Sequence, residues 1–128
     1  MGFHLVILMK KYSKTHEWVE IIDGIAYVGI TDYAQKELGD IVYVELPKTG
    51  IQVNEGESTA VLESTKAASD FYSPVSGTIV EVNKALSDDS GLLNRSPEKE
   101  GWIYKLSKID EKQLDKLLNA EDYHTLIK

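Results

Sequence analysis

Apolar and polar residues alternate along most of this chain with the two-residue period of strands. Glu17-Trp18-Val19-Glu20-Ile21-Ile22 and Ile25-Ala26-Tyr27-Val28-Gly29-Ile30 flank Asp23-Gly24. That pair tolerates positive φ at both central turn positions, so the two runs are predicted to form a hairpin. Further strands are predicted at Ile41–Leu46, Ser58–Leu62, Thr78–Val82 and Trp102–Leu106, with Pro47, Gly50, Gly56, Pro74 and Gly77 as punctuation. Helical signals are few. Asp32 followed by Gln35 has the form of a capping box and Gly39 supplies a stop, which predicts one short helix. Asp110 with Gln113 repeats the box and opens a helix that places Leu114, Leu117 and Leu118 on one face. Asn119 is set to cap a last helix carrying Tyr123, Leu126 and Ile127. Trp18 reads as core, and so does Trp102, by its alternation with Tyr104 and Leu106.

One segment echoes another. Gly39-Asp40-Ile41-Val42-Tyr43-Val44 recurs as Gly77-Thr78-Ile79-Val80-Glu81-Val82, with Gly, Ile, Val and Val in the same places. Two related halves of this kind suit a mainly β fold, a small flattened sandwich or barrel with a short internal helix and C-terminal helices. Between the two copies, Lys66 stands in the polar break Ser64-Thr65-Lys66-Ala67-Ala68 that separates two strand-like runs. It is expected at the tip of a β-hairpin, where another enzyme can reach it.

Composition narrows the chemistry. A chain of 128 residues fits one domain; residues 1–10 are expected as an N-terminal extension or edge segment and 11–128 as the domain. The net charge of −7 argues against nucleic acid and suits charge-steered docking on protein partners. With no cysteine, the chain has no disulfide, thiol nucleophile or Cys-based metal site, and His4, His16 and His124 show no metal-ligand spacing. Phe3–Leu8 is apolar but far too short to span a bilayer. It lacks the basic flank and small-residue cleavage site of a secretory signal, and the arginines of a transit peptide. It reads as an extra edge strand, a leader or an extension upstream of a natural start at Met9, and a cytoplasmic protein is expected.

Lysine chemistry bounds what Lys66 can do. A lysine at its ordinary pKa of about 10.4 is neutral and nucleophilic in roughly one molecule in a few thousand at neutral pH. Acylation therefore needs an activated donor and an enzyme that removes the proton, and the small Ala67 and Ala68 leave that enzyme room. A Ser64–Lys66 hydrolytic dyad is disfavoured, because a hairpin tip supplies neither desolvation nor an oxyanion hole. His16 and Glu17 are adjacent on a strand, so they are expected to face opposite ways. Asp88-Asp89 and Glu98-Lys99-Glu100 read as solvated acidic loops.

From Lys11 to the C-terminus the chain resembles the glycine cleavage H-protein family, lipoyl carriers of the biotinyl/lipoyl hybrid fold. The resemblance rests on Tyr12-Ser13-Lys14-Thr15-His16-Glu17-Trp18, Gly29-Ile30-Thr31-Asp32, Leu38-Gly39-Asp40 and Val42-Tyr43-Val44-Glu45-Leu46-Pro47. It continues through Glu63-Ser64-Thr65-Lys66-Ala67, Ser73-Pro74-Val75-Ser76-Gly77, Glu81-Val82-Asn83 and Gly101-Trp102. Thr65 departs from the family pattern, where Val is usual; at Tyr33 many members have His and others an aromatic residue, so no histidine role carries over to it. The resemblance implies lipoate in amide linkage to Lys66, with Glu63, Ser64, Thr65, Ala67 and Gly77 as the context of modification. Biotin sites instead place methionine on both sides of the lysine, and the lipoyl domains of 2-oxoacid dehydrogenases place Asp before it.

The same resemblance implies a carrier, not an enzyme, that shuttles an aminomethyl group. Its partners would be a pyridoxal-phosphate glycine decarboxylase, a folate-dependent aminomethyltransferase, dihydrolipoamide dehydrogenase, and a lipoate ligase or lipoyl transferase. By matching position, Thr15, Glu17 and Asp70 would line a groove that shelters the loaded arm. Their plainer alternatives are an edge-strand surface for Thr15 and Glu17 and a turn carboxylate for Asp70. A monomer is expected. A carrier of the same fold serving lipoyl relay or sulfur metabolism is the alternative function.

Overall fold

A computed structural model describes residues 9–128. Met9–Tyr12 (β1), Glu17–Ile22 (β2) and Ile25–Ile30 (β3) run antiparallel, with Asp23 at φ 51° and Gly24 at φ 78° in the predicted turn. Helix α1 (Asp32–Leu38) leads to β4 (Ile41–Glu45) and the two-residue β5 (Gln52–Val53). Strands β6 (Ser58–Ser64) and β7 (Ala68–Tyr72) form the hairpin, and β8 (Gly77–Val82) follows. The short helices α2 (Ala85–Asp88) and α3 (Leu92–Arg95) precede β9 (Tyr104–Ser107), a 3-10 turn at Glu111–Lys116 and α4 (Ala120–Leu126).

The strands make an open sandwich, not a closed barrel. One antiparallel sheet has the order β1-β2-β3-β9-β8-β5 and the other β4-β6-β7, and no strand is shared. Val19, Val28, Val53, Ile79 and Leu106 from the larger sheet and Ile41, Val44, Leu62 and Phe71 from the smaller join one buried cluster. The echoed segments fall in opposite sheets, as β4 and β8. Both ladders are irregular at the same point, between Ile41 and Tyr43 and between Ile79 and Glu81. Alternation turns Val42 and Val80 outward after the buried Ile41 and Ile79, and the bulge leaves the next residues, Tyr43 and Glu81, exposed as well.

Trp18 locks the large sheet to its surroundings. Its indole lies on Gly29, where an added Cβ would come within 2.8 Å of the ring, and its Nε1 donates to Pro97 O at 3.0 Å. Trp102 does not share this role. It precedes β9, is half-buried, and meets Tyr27 edge-on at 5.8 Å with Lys105 Nζ 4.7 Å from its ring. The strand begins two residues later, so the alternation that suggested core does not extend to it.

The caps also differ from expectation. Thr31, not Asp32, is the N-cap of α1: it keeps extended backbone at the end of β3, and its hydroxyl accepts the Ala34 amide at 3.1 Å. Asp32 instead binds Gln35 Nε2 and Lys36. Asp110 does cap its segment, accepting from Lys112 N, but the segment is 3-10. Gln113 turns across to Ser76, accepting from its amide at 2.7 Å. Of the three leucines only Leu114 is buried; Leu118 pairs with the Tyr12 main chain through two 2.8 Å bonds. Asn119 caps α4 as predicted, and Tyr123 is buried, whereas Leu126 is 48 % exposed.

Helices α2 and α3, four residues each and without a capping signal in the sequence, insert Leu86 and Leu93 into the core. The acidic stretches are engaged: Asp89 pairs with Arg95, and Glu98 pairs with Lys10 at 3.2 Å and accepts from Asp32 N. The expectation for Phe3–Leu8 lies outside the described residues. Met9 and Lys10 belong to β1, the edge strand of the larger sheet.

Candidate functional site

The β6–β7 ladder closes at Glu63↔Ala68, and Lys66 stands exposed in the tip beyond it. Ser64 builds that tip. Its Oγ accepts from Lys66 N at 3.1 Å and Ala67 N at 3.2 Å, and its own amide donates to Ala67 O at 2.9 Å. A hydroxyl receiving two successive amides is the local turn chemistry for which serine is suited. Thr65 N donates to Asp40 O at 3.0 Å, tying the tip to the turn after α1. Glu63, Thr65 and Ala67 are exposed around Lys66. Gly77 does not join them. It lies buried in the other sheet, where a Cβ would stand 2.9 Å from Ser107 O.

A cleft of about 250 Å³ meets the same hairpin farther down, at Leu62, Ser69 and Asp70, and Thr15, Glu17 and Asp70 all line it. Five elements meet there: the start of β2, the end of β3 at Ile30, helix α1 through Tyr33 and Glu37, β6 at Leu62, and β7 through Ser69 and Asp70. Glu17 is 4 % exposed, so it is no edge-strand surface residue. Its carboxylate accepts from Ser13 Oγ at 2.6 Å and Thr15 Oγ1 at 2.5 Å. Burial pushes its pKa above the ordinary value, and those hydrogen bonds oppose the rise. Asp70 is exposed and accepts from Ser58 Oγ at 3.1 Å.

His16 corrects the expectation of opposite faces. At φ 73° it lies outside the strand, and it lines the same cleft as Glu17. Its ring meets Tyr33 at 4.8 Å, its Nδ1 lies 2.8 Å from Tyr123 OH, and burial lowers its pKa. Sequence reasoning missed His16, Tyr33, Glu37, Ser13 and Tyr123 as parts of this region. Only the spacing of Tyr33 and Glu37, four apart on one helix face, carried a usable signal.

Residues 10–128 match the glycine cleavage H-protein family. The chain belongs to that family. A glycine cleavage system H protein of Thermotoga maritima is 54 % identical over 115 residues, which cover 90 % of this chain and 93 % of that one. A probable glycine cleavage system H protein 1 of Sulfolobus acidocaldarius is 50 % identical, over 99 % of this chain and 92 % of its own length. The crystal structure of a glycine cleavage system H protein from Mycobacterium marinum superposes with a TM-score of 0.82 at 38 % identity, covering 94 % of this chain and 97 % of the other.

In this H-protein family member the lysine and the cleft share their supports. Strand β7 leaves the tip at Ala68 and reaches the cleft at Ser69 and Asp70. Helix α1 walls the cleft, and its C-cap Gly39 underlies the Lys66 stem.

Proposed function

We propose that this chain is the lipoyl-carrying shuttle of the glycine cleavage system, with lipoate in amide linkage to Lys66 Nζ. The observation that carries the reading is an exposed lysine at the tip of the same β6–β7 hairpin whose Leu62, Ser69 and Asp70 wall a cleft that also holds Glu17. The residues fit the group. Among the described residues Lys66 Nζ has no hydrogen-bond or ion-pair partner, so a lipoate ligase or lipoyl transferase takes it without breaking a contact. When bound, lipoate supplies the sulfur and redox chemistry that a chain without cysteine lacks.

The protein's own part is to present and to shelter. Ser64 holds the backbone on which Lys66 stands. Ser13 and Thr15 orient the Glu17 carboxylate, leaving Asp70 as a more exposed second acceptor on the far wall. In a partly dry cleft such acceptors bind a cationic amine more strongly than water-exposed ones do. The chain is a carrier with no catalytic residue assigned. Glycine decarboxylase, aminomethyltransferase and dihydrolipoamide dehydrogenase are its partners, and the net charge of −7 supports charge-steered docking on them.

The test is intact mass before and after incubation with lipoate, ATP and a lipoate ligase, followed by glycine-dependent carbon dioxide release with glycine decarboxylase. Wild type gains one lipoyl group and supports release; Lys66→Arg does neither. Labelling at another residue overturns the site, and labelling of Lys66 without glycine-dependent release overturns the pathway.

A further inference from the structure

Three groups behind the cleft form a hydrogen-bonded row. Thr31 Oγ1 lies 2.7 Å from Tyr123 OH, which lies 2.8 Å from His16 Nδ1. The direction of the row follows from what Thr31 has available. Its side chain is buried and its oxygen already accepts the Ala34 amide. Among the described residues, its hydroxyl hydrogen has one acceptor, the Tyr123 oxygen. Tyr123 then gives its own hydrogen to His16 Nδ1. An imidazole that accepts at Nδ1 carries its hydrogen on Nε2 and is neutral.

The backbone supports the same arrangement. His16 has φ 73°, a conformation that L side chains rarely adopt, and this turns its ring into the cleft wall. There the ring sits against Tyr33 at 4.8 Å and edge-on to Tyr123 at 5.7 Å.

We propose that Tyr123, from the C-terminal helix, is a positioning residue for His16, holding it as the neutral Nε2–H tautomer so that the cleft wall adds no positive charge. The purpose rests on the reading of the cleft as the shelter of a cationic amine. A protonated His16 needs a hydrogen on Nδ1, which reverses the row and leaves the Thr31 hydroxyl without an acceptor. It also competes with an amine for the cleft's carboxylates. The titratable groups facing His16 are Glu17 on β2, Tyr33 and Glu37 on α1, Asp70 on β7 and Tyr123 on α4. Glu37 draws His16 toward protonation, and burial, the larger effect, opposes it.

Nitrogen NMR of the imidazoles in the unmodified full chain reads the tautomer without any lipoate, with His16→Asn assigning the resonance. Asparagine is neutral at every pH and tolerates positive φ. The expected result is the Nε2–H form in wild type, with the His16 titration moving upward in Tyr123→Phe. An Nδ1–H form in wild type, or an unchanged titration in Tyr123→Phe, overturns the proposal. In the loaded carrier, Tyr123→Phe should shorten the lifetime at about pH 6 and leave it unchanged at about pH 8. His16→Asn in the same background should remove that pH dependence. The expected tautomer with an unaltered lifetime would support the positioning and sink the shelter reading instead.

Discussion

The stem of Lys66 lies across Gly39: a methyl group at Gly39 would stand 3.3 Å from Lys66 Cε and 3.7 Å from Nζ. The two residues come from different units, the tip of the β6–β7 hairpin and the stop of α1. The bond from Thr65 N to Asp40 O, 3.0 Å long, holds those units together. The helix that walls the cleft therefore also underlies the lysine.

Gly39→Ala tests that junction. Gly39 has φ 82° and ψ −163°, a region that is essentially glycine-only, so the substitution should cost about 1–3 kcal/mol. The lysine stem is flexible and exposed and moves aside at little cost. Urea denaturation should show the loss, while a ligase still modifies Lys66 to completion. Unchanged stability would refute the backbone argument.

Ser64→Ala should loosen the tip without unfolding the domain. It removes an acceptor shared by the Lys66 and Ala67 amides, in a partly exposed site where the net cost is about 1 kcal/mol or less. Hydrogen exchange should accelerate at Lys66 and Ala67 while the β2 and β3 amides keep their protection, and lipoylation should slow. Equal exchange in both proteins would remove Ser64 from its structural role.

Glu17→Gln should alter how stability depends on pH. Burial raises the Glu17 pKa from its ordinary 4.5. Between that value and the folded-state pKa, the native state holds a proton that the unfolded chain has released, so this group's contribution to stability falls as pH rises. Glutamine keeps an oxygen for Ser13 and Thr15 and carries no charge. As pH rises above about 4.5 the variant should gain stability relative to wild type until the folded-state carboxyl is ionised, measured as the difference between their urea midpoints. A difference constant across that range would contradict the burial of a charged carboxylate there.

Local signals marked the features that short segments decide for themselves. Asp23-Gly24 marked its turn because both residues must take positive φ, and they do. Asn119 marked the start of α4, because capping involves only its own first turn. The polar break at Lys66 marked the hairpin tip for the same reason. The misplaced features depend on residues far away in sequence. Gln113 completes a box on paper, yet Ser76, thirty-seven positions earlier, offers both a donor and an acceptor to its amide. Trp102 follows the strand alternation, yet β9 does not reach it.

The sequence by itself determined a mainly β chain with an exposed lysine between two strands, and the motifs around that lysine pointed to the family. Only the tertiary structure decided that Glu17 is buried, and that His16 leaves the strand to face the same cleft. It likewise brought α1, β2, β3, β6 and β7 together around that cleft and Tyr123 against His16 across 107 positions. The reason is physical. Strand period and turn chemistry act over a few residues, whereas burial and hydrogen-bond direction are set by whichever distant groups the packed fold delivers.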